Sequence, residues 1–332
     1  MSGKVKIVLG VVVVLMFLVA VIVITQPDKE SVVTQEDRLA SIPQNATKMS
    51  PSTDLHKPVV HSSEWAQPVP FAGPVNTAGA EDSPFITSNG TWFFFFFTPD
   101  VKVPPEKQLI DGVTGMWWCQ KVGDNWTSPT KIDLCDDVSL DGAECVFGTT
   151  MWFASVRAGN FGEVDVYSAE YEDGEWTNVE NLGEQLNEDY DIGEFHMMED
   201  GNTFYFHTGN FDAGGSMDLW VTHKIASSGV SWSTPMPLTE LNTAGNEGYP
   251  YVTPDGNELW FTRMTSLPGY GGPAIFRSTK QPNGSWGPAE EIISNFAGEP
   301  TLDADGNIYF VHHFYSASDQ MIEADIYVAY RQ

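Results

Sequence analysis

Residues Pro250 to Arg263 read PYVTPDGNELWFTR: a short apolar run, an Asp-Gly pair, then a run of aromatic and β-branched residues. Asp-Gly suits the positive φ angles of a tight hairpin turn, and the runs on either side have strand composition. The same design returns as PFITSNGTWFFFFFT from Pro84, CVFGTTMWFASVR from Cys145, FHMMEDGNTFYFHT from Phe195 and PTLDADGNIYFVH from Pro300. Only the copy at Cys145 lacks the Asx-Gly turn. A third strand follows as DVYSAEY from Asp165, DLWVTHK from Asp218, AIFRSTK from Ala274 and DIYVAYR from Asp325. A second tight turn (Asn125, Asp173-Gly174, Ser228-Gly229, Asn283-Gly284) then leads to a tryptophan, at Trp126, Trp176, Trp232 and Trp286.

A repeat of about fifty residues built from four short antiparallel strands predicts an all-β chain folded as a five-bladed β-propeller. Each blade buries its faces against its neighbours, which suits the uninterrupted run Phe93–Phe97. The repeats begin on a fourth strand led by Trp65 and end on a third, from Asp325 to Gln332. The N-terminal strand is therefore expected to complete the last blade and close the ring.

Ahead of the repeats, Ile7 to Thr25 is nineteen residues without a charge, preceded by Lys4 and Lys6 and followed by acids. A run of about 20 apolar residues is long enough to span a bilayer, and basic residues mark the cytoplasmic flank. The expected organisation is a cytoplasmic stub over 1–6, a transmembrane anchor over 7–25, a flexible linker over 26–64 and the propeller over 65–332. The propeller is expected on the extracytoplasmic side, as part of a single-pass cell-membrane protein; a long cleaved signal is the other reading of the apolar run. The linker earns its assignment from Ser, Thr and Pro content without helical or strand period.

Sixteen Lys and Arg stand against 45 Asp and Glu, a net charge of -29. That field argues against a nucleic-acid partner, which needs a basic footprint. Three cysteines, Cys119, Cys135 and Cys145, are too few for a disulfide scaffold; one pair with a free thiol is conceivable. Four Asn-x-Ser/Thr sequons begin at Asn45, Asn89, Asn125 and Asn283, three of them in expected bottom-face turns. Sugars there would coat the side facing the membrane and leave the other face free; Asn-Gly is also good turn chemistry in its own right.

Each repeat carries a glutamate before its first strand: Glu81, Glu144, Glu194, Glu247 and Glu299. Five carboxylates converging on a channel mouth would suit a hard cation such as Ca²⁺, or a cationic or hydroxylated ligand. The alternative is a job repeated in every blade, such as accepting backbone N–H groups. Arg157 and Arg263, near the same face, would grip a ligand carboxylate or pair with those glutamates. His312 is a further candidate, and the pair His312-His313 could ligate a metal together with Glu299. Asp303-Ala-Asp305-Gly306 has the opening of a calcium loop without the later ligands, and a hairpin turn is the plainer reading.

The pattern Asn242-Thr-Ala-Gly-Asn-Glu247-Gly-Tyr-Pro250, then Asp255-Gly256 and Trp260-Phe261-Thr262-Arg263, resembles the TolB-type WD40-like β-propeller repeat. Asn76 to Pro84 matches it again, and FASVRAG around Arg157 is close to its strand ending. The third and fifth repeats, with Asn210 and Phe314 where the arginine stands, fit less well. The resemblance spans residues 65–332 and implies a binding or scaffolding platform of the cell envelope. The function expected is therefore a ligand-binding or protein-interaction module, with an envelope protein or an extracellular glycan as partner and contact to the membrane through the N-terminal helix. The rival is a five-bladed glycoside hydrolase using a carboxylate pair. Glu144-Cys145 resembles the acid-bearing step of one such group, without the aspartate-centred sequences that accompany it near the first blade.

Overall fold

The computed structural model describes residues 32–135, 137–187, 190, 192–209, 217–225, 231–265 and 271–332. The expected anchor over 7–25, the turn Ser228-Gly229, Asn210 and most of the connections 208–217 and 265–273 lie outside the described residues. Among the described residues no helix is long and apolar enough to cross a membrane.

The chain is all-β, and its sheets are almost wholly antiparallel. The inner strands are Ala80–Ile86, Ser139–Phe147, Phe195–Met197, Glu247–Val252 and Ala297–Leu302. Each pairs outward with the strand that follows its turn: Trp92–Thr98, Thr150–Arg157, Thr203–Thr208, Glu258–Thr265 and Ile308–Tyr315. A third strand and a shorter outer segment complete each set. Every inner strand touches the next, and the one at Ala297 touches the one at Ala80, so the succession closes on itself in a propeller-like arrangement.

Closure uses the N-terminal strand. Val69 and Pro70 pair with Val328 and Tyr327 of the last strand, Met321–Ala329, and Trp65 bridges Arg331. A parallel bridge between Ala324 and Ala80 joins the last set directly to the first.

Side-chain alternation explains the aromatic content. Phe93, Phe95 and Phe97 point into one apolar cluster and Phe94 into another, all four fully buried. A strand between two neighbours has no polar face, so both of its period-2 rows are apolar. The recurring tryptophans serve the same packing. Trp176 lies against Trp92 and Trp118 of the preceding set, Trp286 against Tyr205, and Trp65 edge-on to Trp260 at 5.5 Å. Each of these three staples its own outer strand to the set before it.

The linker expectation needs correction over its described part. Residues 32–64 are docked on the ring. Thr34 caps the helix Gln35–Ser41 through a reciprocal bond with Asp37, and Val59–Val60 adds a strand beside Glu290–Ser294. Arg38 is completely buried: Nη2 bonds Glu81 at 2.5 Å and the carbonyl of Val75 at 2.6 Å. Its guanidinium carbon lies 4.5 Å from the Phe97 ring centroid and 4.7 Å from that of Phe95. Further along, Lys48 pairs with Glu323 and Asp325, and Asp54 Oδ2 meets His312 Nε2 at 2.9 Å. The segment shows no period because its contacts are irregularly spaced and fall on three different strand sets, two of them on the last.

Candidate functional site at the channel mouth

The site is built on a bulge repeated in the inner strands. The pairing register slips by one residue after Asp82, Gly142, Gly248 and Gly298. The residue that follows takes a left-handed backbone: Ser83 at φ 45°, Ala143 at 55°, Tyr249 at 56° and Glu299 at 56°. Such a bulge re-aims the side chains around it. In the third set Gly193 and Glu194 face His207 together, as Gly193 N–H donates to the His207 carbonyl and His207 N–H to that of Glu194.

Relative to this bulge the five glutamates are not equivalent, and the expected fivefold convergence is replaced by two groups. Glu81 and Glu247 sit two residues before the bulge position, opposite Phe97 and Arg263. Glu247 accepts the Thr243 N–H at 3.0 Å and hydroxyl at 2.6 Å, and Arg263 Nε at 2.7 Å. Glu81 accepts the Thr77 N–H at 2.8 Å and hydroxyl at 2.5 Å, and its cation is Arg38. The Asn-Thr-Ala-Gly-x-Glu motif is thus a loop clasp: the threonine four residues back is held by the glutamate.

Where Arg263 serves Glu247 from its own set, Phe97 stands at the corresponding place beside Glu81, and Arg38 supplies the charge from the N-terminal helix. Arg157 pairs with Asp141 at 2.8 Å instead of Glu144. Both arginines are committed inside the fold, each over a ring, Arg157 at 4.5 Å from Tyr167 and Arg263 at 4.6 Å from Phe276. His312 is fully buried against Asp54 and the Phe296 carbonyl, away from the mouth.

The second group does come together. Ser83 Oγ donates to Glu194 Oε1 at 2.6 Å, and Ser83 N–H donates to Glu299 Oε2 at 2.9 Å. Asp82 stands beside them, its Oδ2 3.9 Å from His313 Nε2. Tyr249 borders the cluster through His207, whose Nδ1 faces the Tyr249 N–H at 3.1 Å and whose Nε2 faces the Glu194 N–H at 3.2 Å, the neutral ring accepting from one of the two. Glu144 is buried nearby with neither oxygen hydrogen-bonded. Sequence reasoning had named Glu144, Glu194, Glu299 and, as a metal ligand, His313. It missed Asp82, Ser83 and Tyr249, whose only signal is their place at the bulge.

Charge at the mouth is uneven. Desolvation pushes Glu194 up to about 8, with the Asp82 charge adding to it, against the pull of the Ser83 hydroxyl. Glu144 is likewise raised to about 8 by burial, and Glu299 goes well above the carboxylate range by burial and the Asp82 and Glu194 charges. Burial also works against an ionised Asp82, but the neighbouring His313 and Glu299 outweigh it and hold Asp82 below its usual value. His207 is pressed down to about 3 by burial. Protonation would also set two ring donors against two backbone donors. Gly193 leaves room for that ring: a Cβ there would stand 2.0 Å from Nε2 of His207.

The mouth therefore combines an ionised carboxylate, neutral carboxyls that donate as well as accept, and two hydroxyls. Such a set can hold a cation, grip a hydroxylated ligand, or move a proton between unlike carboxyls. The three cysteines are free thiols, Cys119 and Cys145 both pushed up to about 12 by burial.

No family model matches the chain, and no curated protein matches it. Solved structures do. A protein of unknown function from Dyadobacter fermentans is 13% identical with a TM-score of 0.45, over 83% of this chain and 100% of that one. The catalytic domain of the Coprinopsis cinerea GH62 alpha-L-arabinofuranosidase is 9% identical with a TM-score of 0.49, over 81% and 97%. The xylan beta-1,4-xylosidase of Bacillus halodurans C-125 is 10% identical with a TM-score of 0.48, over 75% and 52%. Likeness at this level carries no substrate or mechanism across.

Proposed function

We propose that the chain is a five-bladed propeller of TolB-like repeats that works as a ligand-binding module, with the largely buried cluster of Asp82, Ser83, Glu194, Tyr249 and Glu299 as its recognition site. Five strand sets and the closed succession of inner strands support the blade count. The observation that carries the binding reading is Ser83, which ties Glu194 and Glu299 from two other sets into one hydrogen-bonded cluster. Neutral carboxyls and hydroxyls beside one carboxylate suit a hydroxyl-rich ligand, because each ligand hydroxyl needs both a donor and an acceptor. An extracellular glycan has that chemistry. In this reading the apolar run 7–25 holds the propeller at the cell membrane on the extracytoplasmic side.

A second reading has its own support. Asp82 is held ionised while Glu194 keeps its proton to about pH 8. Unlike carboxyls in one site are the requirement for glycoside hydrolysis. One experiment separates the two. The full chain in mild detergent is applied to a glycan array, and reducing ends are assayed on the glycans it retains. Retention lost on Glu194→Ala, without release of reducing ends, supports the binding module. Release by the wild type and not by the variant transfers the site to the hydrolase reading. Retention that ignores the substitution, or no retention at all, removes the proposal.

A further inference from the structure

Two polar atoms in the cluster have no hydrogen-bond partner. Asp82 Oδ2 and His313 Nε2 are both buried without a hydrogen bond, and their side chains are 0% and 9% exposed. Leaving such groups unpaired is costly, and native structures avoid it. With Glu299, each residue offers one ligand atom, and the three atoms lie within 4.8 Å of one another. They come from three strands of the first and last sets, so the fold and not a single loop brings them together.

We propose that Asp82, Glu299 and His313 form a site for one divalent first-row transition ion, zinc being the best match. The donor set decides the class. Calcium takes six to eight oxygens, whereas two carboxylates and an imidazole suit zinc and its neighbours. The transition ion thus replaces the Ca²⁺ that the acidic repeats suggested. Ligand atoms about 2.0–2.1 Å from a tetrahedral ion are roughly 3.3 Å apart, so the three atoms, 3.9 Å apart for Asp82 and His313 and all within 4.8 Å, must draw together when an ion enters. The outer contacts are in place: Ser83 N–H holds both Asp82 Oδ1, at 3.1 Å, and Glu299 Oε2, at 2.9 Å. Three protein ligands leave the fourth position for water or a ligand oxygen. Strand alternation selects His313 for this role, because its neighbour His312 faces Asp54. The site shares Asp82 and Glu299 with the proposed recognition cluster, but its test reads the metal alone and needs no sugar, so either proposal can fail without the other.

The test uses the tag-free full chain in detergent, stripped with a chelator and then titrated calorimetrically with Zn²⁺ and with Ca²⁺. One Zn²⁺ retained per chain after desalting is expected, with no saturable Ca²⁺ binding. His313→Ala and Asp82→Asn are each expected to weaken Zn²⁺ at least a hundredfold, while the exposed His223→Ala leaves it unchanged. Near-UV circular dichroism checks that the variants keep their packing. Should they lose it, Co²⁺ loading of the wild type decides, with visible d–d bands and no sulfur charge transfer expected. No retained Zn²⁺ means that only a water bridges Asp82 and His313 and overturns the proposal. Binding unaltered in both folded variants, or a Co²⁺ spectrum without those bands, overturns it equally.

Discussion

Arg38 shows most sharply how one residue's role depends on its partners. In sequence it is an isolated arginine in a polar segment; in the structure it is the buried counter-ion of Glu81, stacked among Phe95, Phe97 and Trp117. Removing one partner of a buried pair leaves an uncompensated charge, which costs about 3–5 kcal/mol. Arg38→Ala is expected to lower the unfolding free energy by that amount in urea denaturation. Arg38→Lys should restore little, because an ammonium cannot lie flat on the rings while reaching both Glu81 and the Val75 carbonyl. Near-wild-type stability of Arg38→Ala would show that Thr77 alone satisfies Glu81. The candidate site was legible at this scale only in part. Glutamates stood out as a repeated letter, but the bulge that sorts Glu81 and Glu247 from Glu194 and Glu299 is a backbone event with no letter of its own.

Among the elements, the inner and second strands were readable because Asx-Gly turns and aromatic runs are local signals. The N-terminal segment was not. Among its described residues the helix Gln35–Ser41 is capped by Thr34 and Asp37 and pinned by Arg38 to Glu81, and the rest is held by scattered contacts to Glu323, Asp325, His312 and Ser294. A segment tied down in this way resists proteolysis, whereas a flexible tether is cut at once. Limited trypsin digestion of the full chain should therefore spare the bonds after Arg38 and Lys48 at doses that cleave exposed loops. Rapid cleavage at Arg38 would mean that the segment leaves the ring readily, contrary to its buried ion pair.

For the whole molecule, buried ionisable groups set opposing limits on pH. Glu144 moves from 4.5 to about 8 on folding, so its contribution to stability is full below pH 4.5 and is lost as pH rises through 8. His196, enclosed by Phe85, Phe147 and Tyr251, moves from 6.5 to about 3. The unfolded chain takes up that proton, so its contribution is full above 6.5 and is lost as pH falls through 3. Thermal midpoints measured across pH are expected to fall at both ends. Glu144→Gln should flatten the limb between 4.5 and 8, and His196→Phe the limb between 6.5 and 3. Variant curves that run parallel to the wild type would contradict both assignments.

By itself the sequence determined the class and rhythm of this protein. The turns, the aromatic strands and the recurring tryptophans are short-range features, and a repeat displays them several times over. Its acidity, -29 overall, likewise needed no coordinates to argue against nucleic acid. Tertiary structure alone decided which acids share space. Ser83, Glu194 and Glu299 are more than a hundred residues apart in the chain, yet they meet because the ring brings the bulges of its inner strands around one mouth. It also decided that Arg38, Lys48 and Asp54 belong to the ring, since each is matched to a charge or imidazole that only the closed fold places beside it.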